Sequence, residues 1–269
     1  MDGSTESNGE FLGRPIGPPG ELFWHKLITR EFPPQGEHIS MVARASDGHR
    51  YFCKQDSLST PVRMREALFS KLITELGIPT PEFAVLEDEE SGETFFGSRW
   101  HQSTADDSDR KRFLRTERRD DLNRHLPFPQ RFLSQLYAFD LFICNDDRSI
   151  NNLILRREGS QSGRLCPIDF ALANLGDQSE LIFPVESTET VQVGRQLRSV
   201  HGFCQASALQ MVDGISAIPP DVFLGFFQDI PADWIDVRER KALNELWNGS
   251  GLEARIQLLR SGLTDGSLL

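Results

Sequence analysis

The first hundred residues contain two stretches in which apolar and polar residues alternate, a pattern typical of strands. Residues 39–54, ISMVARASDGHRYFCK, alternate on both sides of Asp47-Gly48, a dipeptide that favours a tight hairpin turn. Residues 82–100 repeat this pattern around Ser91-Gly92. The chain is therefore predicted to form two β-hairpins in this region.

Between the hairpins, the apolar residues follow helical spacing. Pro61 stands where a helix would begin, because proline is tolerated in the first helical turn, and Gly77 stands where the helix would end. Residues 21–32 are apolar enough to pack against this unit, and no strand is assigned to them. From Pro127 helical spacing dominates, interrupted by two predicted strands, LILRR and RLCPI, around a turn at residues 158–163.

These patterns predict an α+β fold with two lobes. Residues 1–20 are rich in Gly, Ser and Pro and are expected to form a flexible tail. A small β-rich lobe is predicted at 21–102, and a larger helical lobe at 127–269. Residues 103–126 form a charged connection or insert, in which basic and acidic residues are interleaved. This mixture favours a solvated surface over a docking site for an acidic partner.

Composition narrows the classes of function. A net charge of −11 argues against a nucleic-acid binder, which would need a basic surface. No apolar run approaches the roughly 20 residues that span a membrane, and the N-terminus lacks a secretory pattern. We expect a soluble cytoplasmic protein with no membrane partner, while the oligomeric state is not determined by the sequence.

Metal and redox motifs based on cysteine or histidine are not evident. The four cysteines are far apart and form no C-x-x-C pair, so they are expected to be buried, reduced thiols. His101, His125 and His201 have no partners at metal-ligand spacing, which disfavours a zinc hydrolase.

One segment concentrates polar side chains between apolar runs. Residues 141–170 read LFICNDDRSINNLILRREGSQSGRLCPIDF, with two Asp-to-Asn pairs five residues apart and a later aspartate at Asp169. Burying a neutral polar group without a partner costs about 2–7 kcal/mol, and burying a charged group costs more. Metals or hydrogen bonds must therefore compensate the charged groups of this segment. Asp146 with Asn151 and Asp147 with Asn152 are the two possible registers.

The spacing within this segment is typical of phosphoryl transfer. That chemistry needs a carboxylate near the acceptor hydroxyl and oxygen ligands for Mg²⁺. An Asp, an Asn five residues later and an Asp after a hairpin reproduce the protein-kinase arrangement. Lys54 at a predicted strand end and Glu66 early in the next helix agree with the lysine and glutamate that hold nucleotide phosphates in kinases.

The chain resembles the HipA-like kinases, which are related to the phosphoinositide kinases and have a protein-kinase-like fold. The resemblance rests on NDDRSINNLIL followed by IDF, on REALFSKLITELGIPTPEFAVLE with FFGSRW, and on DWIDVRERKALNELWNGSGLEARIQLL. It covers most of residues 40–260. The D-R pair of the family selects the register Asp147 to Asn152.

The resemblance implies a role for each site residue. Asp147 would position or deprotonate the acceptor, Arg148 would organise the catalytic loop, and Asn152 and Asp169 would bind Mg²⁺. Lys54 would contact the phosphates of ATP and Glu66 would fix Lys54. The remaining cofactor-binding residues are those of the turn that would receive adenine, namely Ser98, Arg99 and Trp100.

Two features depart from the kinase pattern. No G-x-G-x-x-G precedes Lys54, so the backbone that covers the phosphates is expected in Gln55–Pro61, where Ser57, Ser59 and Thr60 are candidates for autophosphorylation. Ser149 follows Arg148, where phosphoinositide kinases carry histidine.

The expected function is that of an ATP- and Mg²⁺-dependent phosphotransferase that phosphorylates serine or threonine on a protein, with a lipid or small-molecule acceptor left open. One alternative is a catalytically silent kinase fold that binds nucleotide or a partner protein. Another is a Mg²⁺ nuclease using Asp146, Asp147 and Asp169, which the acidic composition disfavours.

Overall fold

The structure is a computed structural model that describes residues 23–31, 40–117, 127–157, 163–176 and 183–269. The predicted tail at 1–20, the end of the charged connection and His125 lie outside the described residues.

Five strands form a closed barrel at the N-terminal end of the chain. They are β1 (Phe23–Glu31), β2 (Met41–Ala45), β3 (Arg50–Lys54), β4 (Phe83–Glu87) and β5 (Thr94–Arg99). Both predicted hairpins are confirmed, as β2–β3 and β4–β5. The barrel closes because β1 pairs antiparallel with β2 and parallel with β4, giving the order β1-β2-β3-β5-β4.

No strand was predicted within residues 21–32, which were expected to pack against the domain, but β1 is a full member of the sheet. Its side chains are mostly exposed on both faces, so the alternation that reveals a half-buried strand is absent. Its hydrogen bonds to β4 join segments about sixty residues apart, and no local sequence signal reports such pairing.

The barrel has an apolar interior and an outer face that meets the rest of the chain. Tyr51, Cys53, Leu86 and Phe95 fill the interior. Gly97 of β5 lies so close to Leu86 that a Cβ atom there would come within 2.6 Å of the Leu86 side chain. Alternation along β3 places Lys54 on the opposite, outer face from Cys53.

Helix α1 (Val62–Glu75) packs between the barrel and the helical part of the chain. Its sides are almost entirely buried, including Met64, Leu68 and Leu72. At its end Gly77 adopts φ 85°, Gly77 N donates to Thr74 O and Ile78 N donates to Ile73 O. This is a Schellman cap, and it confirms the predicted helix end at Gly77.

The charged segment contains helix α2 (Asp107–Arg115), which begins where the Asp106 side chain accepts a hydrogen bond from Asp109 N. Its charged residues pair along the helix and with β6, while Phe113 and Leu114 are buried. His201 Nε2 donates to Leu114 O at 2.8 Å. The described part of this segment is therefore an ordered helix docked on the core.

Helices dominate the chain from Pro127, as predicted, around the hairpin formed by β6 (Leu153–Arg157) and β7 (Gly163–Pro167). The helices are α3 (Pro127–Phe142), α4 (Glu189–His201), α5 (Gln205–Ser216), α6 (Pro220–Gly225), α7 (Val237–Asn248) and α8 (Ser250–Asp265). One apolar core joins them to α1. The fold is α+β, and no helix in the described ranges has the length and hydropathy needed to cross a bilayer.

Candidate active site

Three charged side chains meet where the barrel contacts the helical part. Lys54 Nζ donates to Glu66 Oε1 at 2.6 Å and to Asp169 Oδ1 at 2.8 Å. Phe170 N donates to Glu66 Oε1 at 3.0 Å, which ties α1 to the segment after β7. The fold thus brings together Lys54, Glu66 and Asp169, whose chain separation reaches 115 residues.

This cluster holds one cation between two carboxylates. Burial is the largest influence on Lys54 and lowers its pKa, but attraction to Glu66 and Asp169 outweighs it, so the pKa of Lys54 is raised. The pKa of Glu66 is raised, chiefly by burial. Burial also acts to raise the pKa of Asp169, but the charge of Lys54 outweighs it and that pKa is lowered. The site keeps an ammonium group beside an excess of negative charge.

Asp169 has an uncommon backbone conformation. Its φ is 66°, in the left-handed region that few residues other than glycine adopt, although aspartate and asparagine are enriched there. The preceding residue is held by a hydrogen bond from Arg148 Nη1 to Ile168 O. Such conformations persist only where neighbouring contacts fix them, and they cluster at functional sites.

Arg148 is buried under the polar loop and holds it together. Its Nε and Nη2 each donate to one carboxylate oxygen of Asp140 at 2.9 Å, and its Nη1 donates to Asn152 O at 3.1 Å. Its guanidinium carbon lies 4.9 Å from the centre of the Phe170 ring. Arg148 was predicted as part of the catalytic set, and its contacts are those of a positioning residue that orders the loop around the reactive groups.

The hydrogen bonds distinguish the two possible registers. Asn152 Nδ2 donates to Asp147 O at 2.8 Å, and Ile168 N donates to Asn152 O at 3.0 Å, so Asn152 links Asp147 to the residue before Asp169. Asn151 instead accepts from Arg110 of α2 at 2.9 Å. The geometry favours the pair Asp147 and Asn152.

Ser149, the residue that departs from the phosphoinositide-kinase pattern, orients Asn152. Its hydroxyl donates to Asn152 Oδ1 at 3.1 Å and accepts from Asn151 N at 3.1 Å, capping the short 3-10 turn Ile150–Asn152. Because the amide of Asn152 is held at both ends, its oxygen keeps a fixed direction.

The two neighbouring aspartates differ in exposure. Asp147 is half-buried, whereas Asp146 is exposed and its pKa is raised by partial burial of its carboxyl group. Asp146 O accepts a hydrogen bond from Thr190 N at 3.2 Å. Asp147 directly precedes Arg148, whose side chain is anchored to Asp140, and the backbone oxygen of Asp147 is itself bonded to Asn152.

Two supporting residues were missed by the sequence analysis. Asp140, in the apolar run of α3, is 1% exposed and carries the ion pair with Arg148. Thr190, in the first turn of α4, accepts from Arg148 N at 2.8 Å and donates to Asn145 O. An aspartate within AFDLF was a usable signal, since a buried carboxylate requires a partner. No local pattern marks Thr190.

The turn predicted to receive adenine is divided between two faces of the sheet. Ser98 pairs with Phe52, and Phe96 with Lys54, so Ser98 and Trp100 lie on the same face as Lys54. The Trp100 ring stacks on Phe52 with centroids 5.4 Å apart. Arg99 points to the opposite face, where it binds Glu82 and His49. Ser98 and Trp100 thus share the face that carries Lys54, Arg99 does not, and binding of adenine to this turn stays a prediction.

Residues Gln55–Pro61, predicted to cover the phosphates, form an exposed turn closed by backbone hydrogen bonds between Ser57 and Thr60. The Asp56 carboxylate accepts from Arg63 N and Nε, fixing the turn to the start of α1. Ser57 and Ser59 are exposed. The structure shows where these hydroxyls lie, and their phosphorylation stays a prediction.

The donor set around Asp169 suits a metal shared with a ligand. Within the described residues, no three His, Cys, Asp or Glu side chains are grouped as a metal cage. Asn152 and Asp169 supply oxygen atoms, the donors that Mg²⁺ prefers, and Mg²⁺ commonly takes one or two protein ligands together with phosphates. The Lys54 cluster has two carboxylates for one ammonium group, and this excess of negative charge would favour a divalent cation.

Three of the four cysteines are buried and unoxidised, as expected, and Cys204 is only partly buried. Cys204 occupies the N-cap position of helix α5. Burial opposes ionisation of its thiol, but hydrogen bonds from Ser207 outweigh burial and lower the pKa of Cys204. The expectation of four buried thiols was therefore wrong at this position.

Comparison with solved structures supports a kinase-like fold. The crystal structure of the proinflammatory kinase CtkA of Helicobacter pylori is similar to this chain with a TM-score of 0.55 and 13% identity, over 89% of this chain and 98% of that one. At this identity the likeness shows the fold alone.

Two further structures resemble the chain more distantly. WaaP in complex with acyl carrier protein has a TM-score of 0.34 and 14% identity, over 78% of this chain and 86% of that one. The open conformation of CtTel1 has a TM-score of 0.36 and 13% identity, over 83% of this chain and 11% of that one.

Sequence comparison gives the family. No curated protein matches the chain by sequence. The family described as HipA-like kinase matches residues 27–247, a range that includes the Lys54 cluster, the loop at Asp147 and Glu239 of α7. The chain belongs to the HipA-like kinase family.

Proposed function

We propose that the protein is a phosphotransferase that uses Mg²⁺ and ATP and transfers the γ-phosphoryl group to a serine or threonine hydroxyl on a protein. The observation that carries the proposal is the buried Lys54–Glu66–Asp169 cluster, with its distances of 2.6 and 2.8 Å. Membership of the HipA-like kinases supports the reaction class.

In this proposal Lys54 binds the phosphates of the nucleotide. Its ammonium group is held between two carboxylates and stays protonated at neutral pH, because their charges raise its pKa. Glu66 orients Lys54 and also accepts from Phe170 N, so it fixes the lysine relative to Asp169. Such preorganisation lowers the cost of aligning the transferred group.

Asn152 and Asp169 are the proposed metal-binding residues. A magnesium ion bound there would neutralise charge on the phosphates and on the two carboxylates beside Lys54. Ser149 keeps the Asn152 amide oriented, and Lys54 Nζ holds one carboxylate oxygen of Asp169 at 2.8 Å. The ligands are thus held by the chain itself.

Asp147 is the proposed residue that accepts the proton of the acceptor hydroxyl. Its carboxylate is half-buried, and its backbone oxygen is fixed by Asn152 Nδ2 at 2.8 Å. Arg148 anchors the loop to α3 through its two hydrogen bonds to the Asp140 carboxylate. The proposed acceptor class, serine or threonine on a protein, is what the HipA-like resemblance implies.

The proposal is tested by ligand-dependent thermal stability. Mg-ATP that binds the native state raises Tm in proportion to the logarithm of its excess over Kd, equivalent to about 2.7 kcal/mol at a hundredfold excess. We expect this shift for the wild type with Mg²⁺, and a weaker one with EDTA or for Lys54→Met. No shift at millimolar Mg-ATP would rule out both the kinase and a silent nucleotide-binding fold.

A further inference from the structure

A second buried ion pair lies one residue from Glu66. Arg65 Nε donates to Glu239 Oε1 at 2.9 Å, and Arg65 Nη2 donates to Glu239 Oε2 at 2.9 Å, a two-pronged contact between α1 and the first turn of α7. Arg65 is 8% exposed and Glu239 is 7% exposed. The contact therefore joins residues 174 positions apart with little access to water.

The same guanidinium also hydrogen-bonds to the segment that follows Asp169. Arg65 Nη2 donates to Asn174 Oδ1 at 3.2 Å, and Nη1 lies 3.5 Å from Ala171 O. Asn174 N donates in turn to Ile143 O at 3.0 Å, at the start of the catalytic loop. Arg65 thus connects α1, the segment after Asp169 and, through Asn174, the base of the loop.

Helix α7 packs against the end of this segment through Glu239. A Cβ atom at Gly176 would come within 2.5 Å of Glu239 Cγ, so the segment passes against the Glu239 side chain at the distance that only glycine permits. The Asp236 side chain accepts from Glu239 N at 2.8 Å and fixes the helix start. Residues 169–176 therefore lie between α1 and α7, with the ion pair joining the two helices across them.

We propose that Glu239 is a positioning residue of the nucleotide site and acts through Arg65. Arg65 and Glu66 are neighbours on α1, so the pair that anchors Arg65 to α7 also sets where Glu66 meets Lys54 and Phe170. This inference rests on the proposed function, because it concerns the same phosphate-binding cluster.

Glu239 acts by setting the fraction of molecules in which α1 is docked. Glu239→Gln leaves the Arg65 charge buried without a carboxylate, which disfavours the docked position of α1. If the docked arrangement falls to about one-tenth of the molecules, the apparent Kd for nucleotide rises about tenfold, because only that fraction binds.

The experiment is calorimetric titration of the full chain with the non-hydrolysable analogue AMP-PNP and Mg²⁺, well below the Tm of every variant. Glu239→Gln is expected to raise Kd about tenfold, and Glu239→Asp, which keeps the charge, to recover part of the lost affinity. In a Lys54→Met background Glu239→Gln should cause no further loss of affinity, because the side chain whose position depends on Glu239 is already absent.

Asp229→Asn is the matched control. Lys71, on the same helix, donates to Asp229 Oδ2 at 3.1 Å and to Phe226 O at 3.2 Å, but this contact touches neither Glu66 nor residues 169–176. Asp229→Asn should lower Tm and leave Kd unchanged. If Glu239→Gln fails to fold, Arg65→Lys replaces it, since lysine keeps the charge but not the two-pronged geometry.

The outcomes separate this inference from the proposed function. Unchanged Kd in Glu239→Gln and Arg65→Lys, with binding weakened in Lys54→Met, would overturn the role of Glu239 and leave the nucleotide site intact. An equal loss of nucleotide affinity in Glu239→Gln and Asp229→Asn would show that Glu239 contributes only to general stability, and this result would also overturn the inference. A wild type that binds no nucleotide would overturn both.

Discussion

Lys54→Met tests the electrostatic account of the site through stability, independently of any acceptor. Lys54 is 7% exposed and Glu66 is 2% exposed, and the substitution leaves Glu66 and Asp169 as adjacent carboxylates without a cation. Removing one partner of a buried pair costs about 3–5 kcal/mol. Because 1 kcal/mol lowers Tm by about 2–4 °C for a chain of this size, the expected decrease in Tm is about 6–20 °C.

The loss of stability should depend on pH in a defined direction. In the wild type the pKa of Asp169 lies below its ordinary value of 3.8, since the charge of Lys54 outweighs the opposing effect of burial. This adds stability above pH 3.8 that is lost as the pH falls through the lowered pKa. The variant lacks that contribution at both pH values. Its Glu66 should have a still higher pKa, because the charge of Lys54 no longer opposes the effect of burial. Protonation of Glu66 as the pH falls then relieves the repulsion between the two carboxylates, so the deficit should be full at pH 7 and shrink toward pH 4.

The assay is urea and thermal unfolding at pH 7 and near pH 4, without nucleotide. Lys26→Met is the control, because Lys26 pairs with Glu89 on the surface, where both side chains are more than half exposed. Exposed pairs contribute little, so this variant should match the wild type. Equal stability of Lys54→Met and wild type at pH 7, or a deficit that does not change with pH, would show that Lys54 does not balance the charges of Glu66 and Asp169.

Three further predictions concern other parts of the structure. Asp169→Asn should weaken Mg²⁺-dependent nucleotide binding in calorimetry while the chain stays folded, because asparagine tolerates the left-handed backbone. Thr190→Val should lower kcat about tenfold or more with little change in KM for ATP, and Thr190→Ser should restore it, since the hydroxyl bridges two backbone groups of the loop. Iodoacetamide should modify Cys204 first in the native state, whereas burial raises the pKa of Cys53 to about 12.

Each of these has a contrary outcome. Nucleotide binding by Asp169→Asn that stays as dependent on Mg²⁺ as in the wild type would remove Asp169 from the metal site. Equal kcat in Thr190→Val would show that α4 does not position the loop. Peptide mapping that finds Cys53 alkylated before Cys204 would contradict the assignment of thiol reactivity.

The hairpins, α1 and the polar loop could be predicted because their signals are local. Asp47-Gly48 marks a turn, Gly77 marks a helix end, and the residues between Asp147 and Asn152 are close in sequence. Strand β1 could not be predicted in this way, because its side chains are exposed on both faces and its parallel partner β4 is distant. Closure of the barrel depends on that pairing.

Residues of the candidate site could be predicted where the chemistry requires a particular residue type. They could not be predicted where the packing of distant elements decides which side chains meet. Lys54, Glu66 and Asp169 were chosen for their roles, and the fold brings them together. Arg99 was grouped with its neighbours by sequence, although strand alternation turns it to the other face. The contact of Arg65 with Glu239 joins distant helices, and nothing in either local sequence indicates it.

The most direct test of the central claim is transfer of the γ-phosphoryl group. The chain is incubated with Mg²⁺, γ-labelled ATP and a library of serine- and threonine-containing peptides, and labelled phosphoserine or phosphothreonine is measured for wild type and Asp147→Ala. We predict transfer by the wild type and none by Asp147→Ala, although both bind Mg-ATP. Equal transfer by both, or Mg-ATP binding without transfer by the wild type, would contradict the account and indicate a catalytically silent fold in the second case.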